Sequence, residues 1–447
     1  MNHQPNMLLF GATLSTVFLL LDLYVLRHWT SFAKRRNLGA WWYRIPWSIG
    51  AVIFVVLIVM LLRRHFFRMD GFDVTLLGFV SLWYLPKFGI ALFLLVRDGI
   101  RVGGALLRKL RGTTTFAATD EVHPPLVQAT ASTAIVDSDS TTVHASRRAF
   151  LGTAAWSMSA IPFVMVGRGM WSTLYDFQIY RVDIQIPRLP RALDGFRIAQ
   201  LSDVHAGSFP DHRPFQEVRR IVASERVDAV VITGDFVNQR PQELALIAEE
   251  LQRLTAPYGV FGSLGNHDHY NSPQEHDQLV RGLRGMGVDL LINEHRRLGA
   301  DGASIVIAGT DNTGFRQNFA RLDQALDTVH PEDPIILLAH DPTFWDREVV
   351  AKTPVDLMLS GHTHGGQFGV QLLGFEWSPA QHIYKQWAGH YSKGEQQLYV
   401  NRGIGTVGPP MRIGVPPEIT VFTLRSAPFD RGLAHQRRDV LPEILKG

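Results

Sequence analysis

The chain has 447 residues, of which 46% are hydrophobic and only 19% charged, with a net charge of +3 and no cysteine. That length exceeds one ordinary domain, and the low charge argues against a wholly soluble protein and for a membrane component. The missing cysteine excludes disulfides and thiolate metal sites, so any metal must be held by His, Asp, Glu or Asn. The small positive excess clusters beside apolar runs, which fits membrane topology and leaves nucleic acid without a footprint.

Residues 1–111 form the first region, with three apolar runs at 7–26, 47–62 and 74–96. About 20 apolar residues span a bilayer, so each run is expected to be a transmembrane helix. The second run is short, and Trp41, Trp42 and Tyr43 extend it into the interface. The third contains Pro86 and Lys87, which predict a kink or a division into two pieces. Buried core helices of a soluble protein would not need the Arg and Lys that flank these runs. The basic residues are heaviest after the first run (Arg27, Lys34, Arg35, Arg36, Arg44) and after the third (Arg97, Arg101, Arg108, Lys109, Arg111). These loops are expected in the cytoplasm, with both termini outside.

Residues 112–148 are rich in Thr, Ser and Ala and are expected to form a disordered linker. It ends in Arg147 and Arg148 ahead of Phe150 and Leu151, which resembles a twin-arginine export signal and makes the export machinery a candidate partner. The alternative is an arginine pair that anchors a helix on the cytoplasmic side. Either way a fourth transmembrane helix is expected over 149–170, and the domain beyond it is expected outside a bacterial cytoplasmic membrane.

From residue 180 to 425 the pattern changes to short β-branched runs alternating with amphipathic stretches, an α/β domain with buried strands. The late segments lack long helices between them, so antiparallel pairing is expected there. Residues 426–447 are expected to be a solvated tail. Ligands in such folds gather at the carboxyl ends of strands. Those ends supply Asp203 and His205, then Asp235, then Asn266, His267 and Asp268, then His340, then His362 and His364. A lone strand-end Asp or His is usually structural, but five such clusters in succession point to metal. In an extended segment residues i and i+2 face the same way, which would let Asp203 act with His205, and His362 with His364 unless the glycines bend the chain. Gly361, Gly365 and Gly366 permit close backbone approach.

This ordered set (Asp-x-His, Gly-Asp, Gly-Asn-His-Asp, His, Gly-His-x-His) resembles the calcineurin-like metallophosphoesterase superfamily. Residues 401–420 look like the end of a subfamily of membrane-attached bacterial phosphodiesterases with a twin-arginine signal. The resemblance implies a two-sheet β-sandwich flanked by helices and two divalent ions, with Mn, Fe or Zn suited to the donors. It places Asp203, His205, Asp235 and His364 on one ion and Asp235, Asn266, His340 and His362 on the other. His267 would face the phosphate. Asn238 departs from a frequent Asp but is not among these ligands.

The implied reaction is hydrolysis of a phosphodiester by a metal-bound hydroxide, on a lipid or another substrate near the bilayer. A UDP-diacylglucosamine pyrophosphatase of lipid A synthesis is the rival, and it would work on the cytoplasmic face. A sensor or transport protein is a further alternative, although Asp22 and Lys87 are the only charges in the apolar runs 7–26, 47–62 and 74–96. Arg402 and Arg412 either bind substrate phosphate or pair with nearby acids. His269, His295, His382 and His390 are not expected to be ligands, and Phe209, Tyr270 and Trp387 are expected to pack in the core or rim.

Overall fold

The computed structural model describes residues 5–66, 71–111, 153–154, 156–300, 303–313, 318–372 and 375–426. The expected linker with its arginine pair, and the tail beyond Ser426, lie outside these residues. The chain divides into two compact units, Met1–Phe66 with Phe79–Val166, and Phe67–Gly78 with Gly167–Gly447.

The first unit is built on helices α1 (Pro5–Arg35), α2 (Trp41–Phe66) and most of α3 (Gly71–Arg111). Segments Trp41–Leu62 and Phe72–Lys109 are long and apolar enough to cross a membrane. The first apolar run lies within the 31 residues of α1. The third run is not divided at Pro86, since α3 is one helix of 41 residues. A proline frees one carbonyl of the preceding turn, which a long membrane helix tolerates when neighbours compensate. The two charges within the apolar runs meet each other: Lys87 pairs with Asp22. Tyr84 and Trp83 also donate to Asp22 Oδ2, at 3.1 and 3.3 Å. Paired and hydrogen-bonded in this way, they knit α1 to α3 and leave little for an ion pathway.

The fourth run is not one continuous helix. Residues 153–154 and 156–158 are helical, Ser159 and Ala160 form a turn, and α4 (Ile161–Trp171) follows. Ser159 Oγ bonds back to Trp156 O at 2.6 Å, and Pro162 enters near the start of α4, where its missing N–H costs nothing.

In the second unit, β2 (Arg197–Leu201), β3 (Ala229–Thr233), β4 (Val260–Ser263) and β5 (Val288–Leu290) lie parallel in sequence order. The last strand, β14 (Glu418–Arg425), runs antiparallel beside β2 and parallel to β1 (Gln178–Gln185), completing six strands. The second six-stranded sheet has a parallel centre of β7 (Ala303–Gly309), β8 (Ile335–Leu338), β9 (Leu357–Ser360) and β13 (Gln396–Val400). Its antiparallel edges are β6 (Glu294–Ala300) and β12 (Gly389–Lys393), while β10 (Val370–Leu372) and β11 (Phe375–Trp377) pair antiparallel with each other. Antiparallel pairing thus occurs late in the chain as expected for β12 and β14, while β13 joins β9 in parallel.

Strand periodicity explains the layering. Ala229 and Val231 of β3 face the same core as Ile336 and Leu338 of β8 and Leu357 and Leu359 of β9, so this core lies between the sheets. Val230 and Ile232 point the other way, onto Phe215, Val218 and Val222 of α5 (Arg213–Ser224) and Leu279 and Leu283 of α6 (Pro273–Gly285). Ile335, Leu337 and Met358 cover the far face of the second sheet. This is the expected sandwich flanked by helices. Polar groups also bond across the inside: Gln200 Nε2 donates to Thr233 Oγ1 and, across the sandwich, to Ser360 O, both at 2.9 Å. That bond ties the two sheets together just below the strand ends that carry the site.

Candidate metal centre

Five parallel strands deliver the site. The loops after β2, β3 and β4 bring Asp203 and His205, Asp235, and Asn266 with His267; those after β8 and β9 bring His340, and His362 with His364. The side chains fall into three groups of ligand atoms within 4.8 Å of one another: Asp203, His205 and His364; His205, Asp235 and His267; and Asp235, His340 and His362. Asp235 Oδ2 is common ground, 3.5 Å from His205 Nε2 and 3.1 Å from His340 Nε2. His364 Nε2 lies 3.1 Å from His205 Nε2 and 3.3 Å from Asp203 Oδ1.

The backbone reaches this geometry by a route different from the expected pleat. Asp203, His205, Asp235, His362 and His364 all have positive φ, between 43° and 70°. Left-handed backbone is costly for residues with a Cβ and persists where the surroundings enforce it. Here each ligand loop turns sharply at the strand end, and this turning aims the imidazoles and carboxylates at common points. Close approach is also required: a Cβ on Gly361 would collide with Ser202 and Asp203, and one on Gly265 with Asp235.

The residues fit two cations. Asn266 Oδ1 is buried and makes no hydrogen bond, and His340 Nε2 has the Asp235 carboxylate beside it at 3.1 Å. Burial pushes His205 and His364 well below the usual imidazole range, and His362 to about 4, so all three are neutral and have a lone pair to give. His340 goes the other way. Burial opposes its charge, but Asp235 and Asp203 outweigh this and raise it to about 10, so a proton sits where a cation would bind. Burial also opposes the Asp235 carboxylate, yet His340, His267 and His205 hold it well below the ordinary range.

An outer layer fixes the orientations. His340 Nδ1 donates to Thr233 O at 2.7 Å, which turns Nε2 inward. His267 Nδ1 donates to Asn238 O at 2.7 Å, and its backbone N–H donates to Asp235 Oδ1 at 2.9 Å. Because Asn238 serves through its carbonyl, the departure from Asp there is harmless to His267. Asn266 Nδ2 donates to the Tyr270 hydroxyl at 2.7 Å, while its buried Oδ1 has no hydrogen-bond partner. Tyr270 is therefore more than rim packing. Tyr384 OH lies 3.0 Å from His362 Nε2, a contact that no motif in the sequence announces. Asp268 is not brought into the ligand groups; its carboxylate accepts backbone N–H bonds from Asp235, Phe236 and Gly265, each at 2.9 Å.

Arg402 and Arg412 do not line the site as phosphate hooks. Arg402 is 4% exposed and pairs with Glu418 at 2.7 Å. Arg412 is fully buried and donates to the carbonyls of Arg402, Gly403 and Gly405. Both brace the segment between β13 and β14. Pairing with a nearby acid, one of the two roles open from sequence, holds for Arg402, whereas Arg412 gives its donors to backbone carbonyls. His269 binds Asp311 at 2.6 Å, His295 faces Ala325 O, His390 bonds Gln397 and His382 lies beside Trp377. None of these four joins the ligand groups among the described residues. Phe209 is buried as expected, and the Trp387 carbonyl accepts from Thr363 Oγ1, steadying the His362–His364 turn.

Residues 196–366 match the family profile described as "Calcineurin-like phosphoesterase", and residues 6–173 match that described as "Probable Calcineurin-like phosphoesterase, transmembrane domain". A "Transmembrane protein with metallophosphoesterase domain" of Danio rerio is 33% identical over 277 residues, covering 60% of this chain and 62% of that relative. The chain thus spans less than two thirds of that protein. The uncharacterized metallophosphoesterase YkuE of Bacillus subtilis is 33% identical over 252 residues, 53% of this chain and 82% of the relative. An uncharacterized metallophosphoesterase of Campylobacter jejuni is 26% identical over 425 residues, 94% of this chain and 98% of its own length.

Proposed function

Because this chain belongs to the calcineurin-like metallophosphoesterase family, we propose that it is a membrane-anchored phosphodiesterase that holds two divalent ions and acts on a lipid or another diester near the bilayer. The observation that carries this reading is the run of three adjoining ligand groups, linked through His205 and Asp235. Asp203, His205, His364 and Asp235 would hold one ion; Asn266, His340, His362 and Asp235 the other. When bound, such ions supply positive charge to phosphoryl oxygens and lower the pKa of water toward neutrality. The chain supplies position and a proton. His267 uses Nδ1 as a donor to Asn238 O, so its Nε2 can donate only when the ring is cationic. That cation would stabilise an equatorial oxygen or protonate the leaving one. The two arginines singled out from sequence spend their donors inside the fold, on Glu418 and on backbone carbonyls, which favours a singly charged diester over a monoester with a second charge to neutralise.

The full chain in detergent, stripped by chelation, is expected to lose hydrolysis of bis(p-nitrophenyl) phosphate and to regain it with Mn, Fe or Zn. Turnover of the monoester p-nitrophenyl phosphate should be slower. Faster monoester turnover overturns the diester assignment, and activity indifferent to chelation overturns the metal assignment.

We place the domain outside a bacterial cytoplasmic membrane, on the distribution of basic loops. The seven steps from Trp171 at the end of α4 to Gln178 at the start of β1 reach at most about 25 Å, which keeps the domain close to the bilayer if α4 is embedded. An alkaline-phosphatase fusion after Gly447 should be active and a cytoplasm-only fluorescent fusion dark. The reverse pattern would move the domain inside and bring forward the nucleotide-lipid pyrophosphate reading.

A further inference from the structure

The groove between α1 and α2 carries chemistry that the phosphoesterase site does not use. Along α1 it is lined by Leu20, Leu23, Arg27, Thr30 and Lys34, and Trp47 of α2 forms its side. Spacings of three, four and seven put these α1 positions on one helix face. The stripe changes character along its length, apolar at Leu20 and Leu23 and cationic from Arg27 to Lys34. At 1.5 Å per residue, Arg27 lies about 10 Å and Lys34 about 21 Å along the axis from Leu20. One leaflet of hydrocarbon is about 15 Å thick, with the headgroup layer beyond. The polarity of the groove therefore changes over the length of a single phospholipid.

Two further features mark it as a built surface. Trp47 Nε1 donates to Thr30 Oγ1 at 3.0 Å, joining the two helices where the stripe turns polar and leaving the Thr30 O–H free to point at an acceptor. Arg27 and Lys34 are exposed, and neither has a carboxylate partner among the described residues; the Lys34 ammonium has the Tyr43 ring, 5.4 Å away. Basic residues at span ends ordinarily meet headgroups one at a time. Here two cations and a hydroxyl share one face with an apolar floor and an aromatic wall.

We propose that this groove is a binding site for an anionic phospholipid, its acyl chain lying on Leu20, Leu23 and Trp47 and its phosphate held by Arg27, Lys34 and the Thr30 hydroxyl. The site lies wholly within the first unit and is independent of the phosphoesterase reading. Charge near a membrane surface contributes about 1 kcal/mol per Lys or Arg, so losing both cations weakens the preference about thirtyfold.

The test uses the full chain in nanodiscs of phosphatidylcholine mixed with phosphatidylglycerol, followed by native mass spectrometry of the lipids that remain bound. Wild type is expected to retain phosphatidylglycerol in preference. R27Q/K34Q should lose that preference, and R27K/K34R, which keeps the charge, should largely retain it. R35Q/R44Q removes equal charge from the neighbouring ends of α1 and α2, outside the residues that line the groove, and should behave as wild type. Equal loss in R35Q/R44Q would reduce the effect to general surface charge and overturn the site, as would undiminished preference in R27Q/K34Q at an unchanged melting temperature. Displacement of the lipid by inorganic phosphate would show that the acyl contacts contribute nothing and would overturn the lipid assignment.

Discussion

Asp235→Asn is expected to abolish hydrolysis and to lower the bound metal at both positions. Its Oδ2 faces His205 Nε2 at 3.5 Å and His340 Nε2 at 3.1 Å, one from each half of the site. Its Oδ1 accepts the backbone N–H of His267 at 2.9 Å. The neutral amide keeps the shape but loses the charge that two cations would share, and it can turn an NH₂ toward imidazoles that have no use for another donor. Losing an outer-layer partner of a metal ligand typically costs 10–100-fold, so losing the shared ligand should exceed about 100-fold. The checks are kcat on the diester and metal per chain by plasma emission. Full activity with an unchanged metal count would sink the two-ion reading, whereas loss of one ion with half the site intact would show that Asp235 is not shared.

Much of this site was legible in the sequence because the ligands lie at strand ends, where residue type and order survive the fold's other freedoms. Asp203, His205, Asp235, Asn266, His340, His362 and His364 could be named as a set, and the structure brings the histidines and aspartates among them into adjoining groups. How they converge was not legible. The i, i+2 argument assumed extended backbone, whereas His205 sits at φ 43°, ψ 60°. Local pattern carries no term for strain that only the completed site enforces. Tyr270 and Tyr384 were missed as outer-layer groups for a related reason. Tyr384 is 22 residues past His362 in a segment with no periodic signature, and only the fold brings its hydroxyl to the imidazole. Arg402 and Arg412 show the opposite failure. Arginine near a phosphate site suggests recognition, but these two are buried against Glu418 and backbone carbonyls. Truncating Arg402 would leave the Glu418 charge buried without its partner, a loss of stability of about 3–5 kcal/mol before any question of substrate arises.

In the membrane unit, hydropathy located the apolar runs but could not fix how helices continue or stop. Pro86 suggested a break, yet α3 passes through it. Pro162 lies in a run that looked continuous, and there the chain turns at Ser159 and Ala160 before α4 begins. The same residue type has opposite outcomes because the difference is made by neighbours. In α3, Lys87 next to Pro86 pairs with Asp22 and ties that part of the helix to α1. At the start of α4 a proline ring needs no such help, since the first turn of a helix has no N–H bonds to lose.

His267→Ala separates proton transfer from metal holding. His267 belongs to one of the ligand groups, with His205 and Asp235, so proximity alone would allow it to be a ligand. Its bonding points elsewhere. The ring Nδ1 is committed to Asn238 O, and the His205 ring meets it edge-on with centroids 4.7 Å apart. The link to Asp235 is made by the backbone N–H, which alanine keeps. The variant should therefore bind as much metal as wild type and keep its melting temperature. Its kcat should fall about 10²–10⁴-fold, the range for a positioned acid, while KM changes little, because the interaction grows as the leaving oxygen gains charge. Leaving-group dependence adds a readout that a packing defect would not move. A diester with a good leaving group needs no proton, so nitrophenyl esters should be hurt less than alkyl ones. A uniform loss across leaving groups, with metal content falling in parallel, would make His267 a ligand and remove the acid from the proposed reaction.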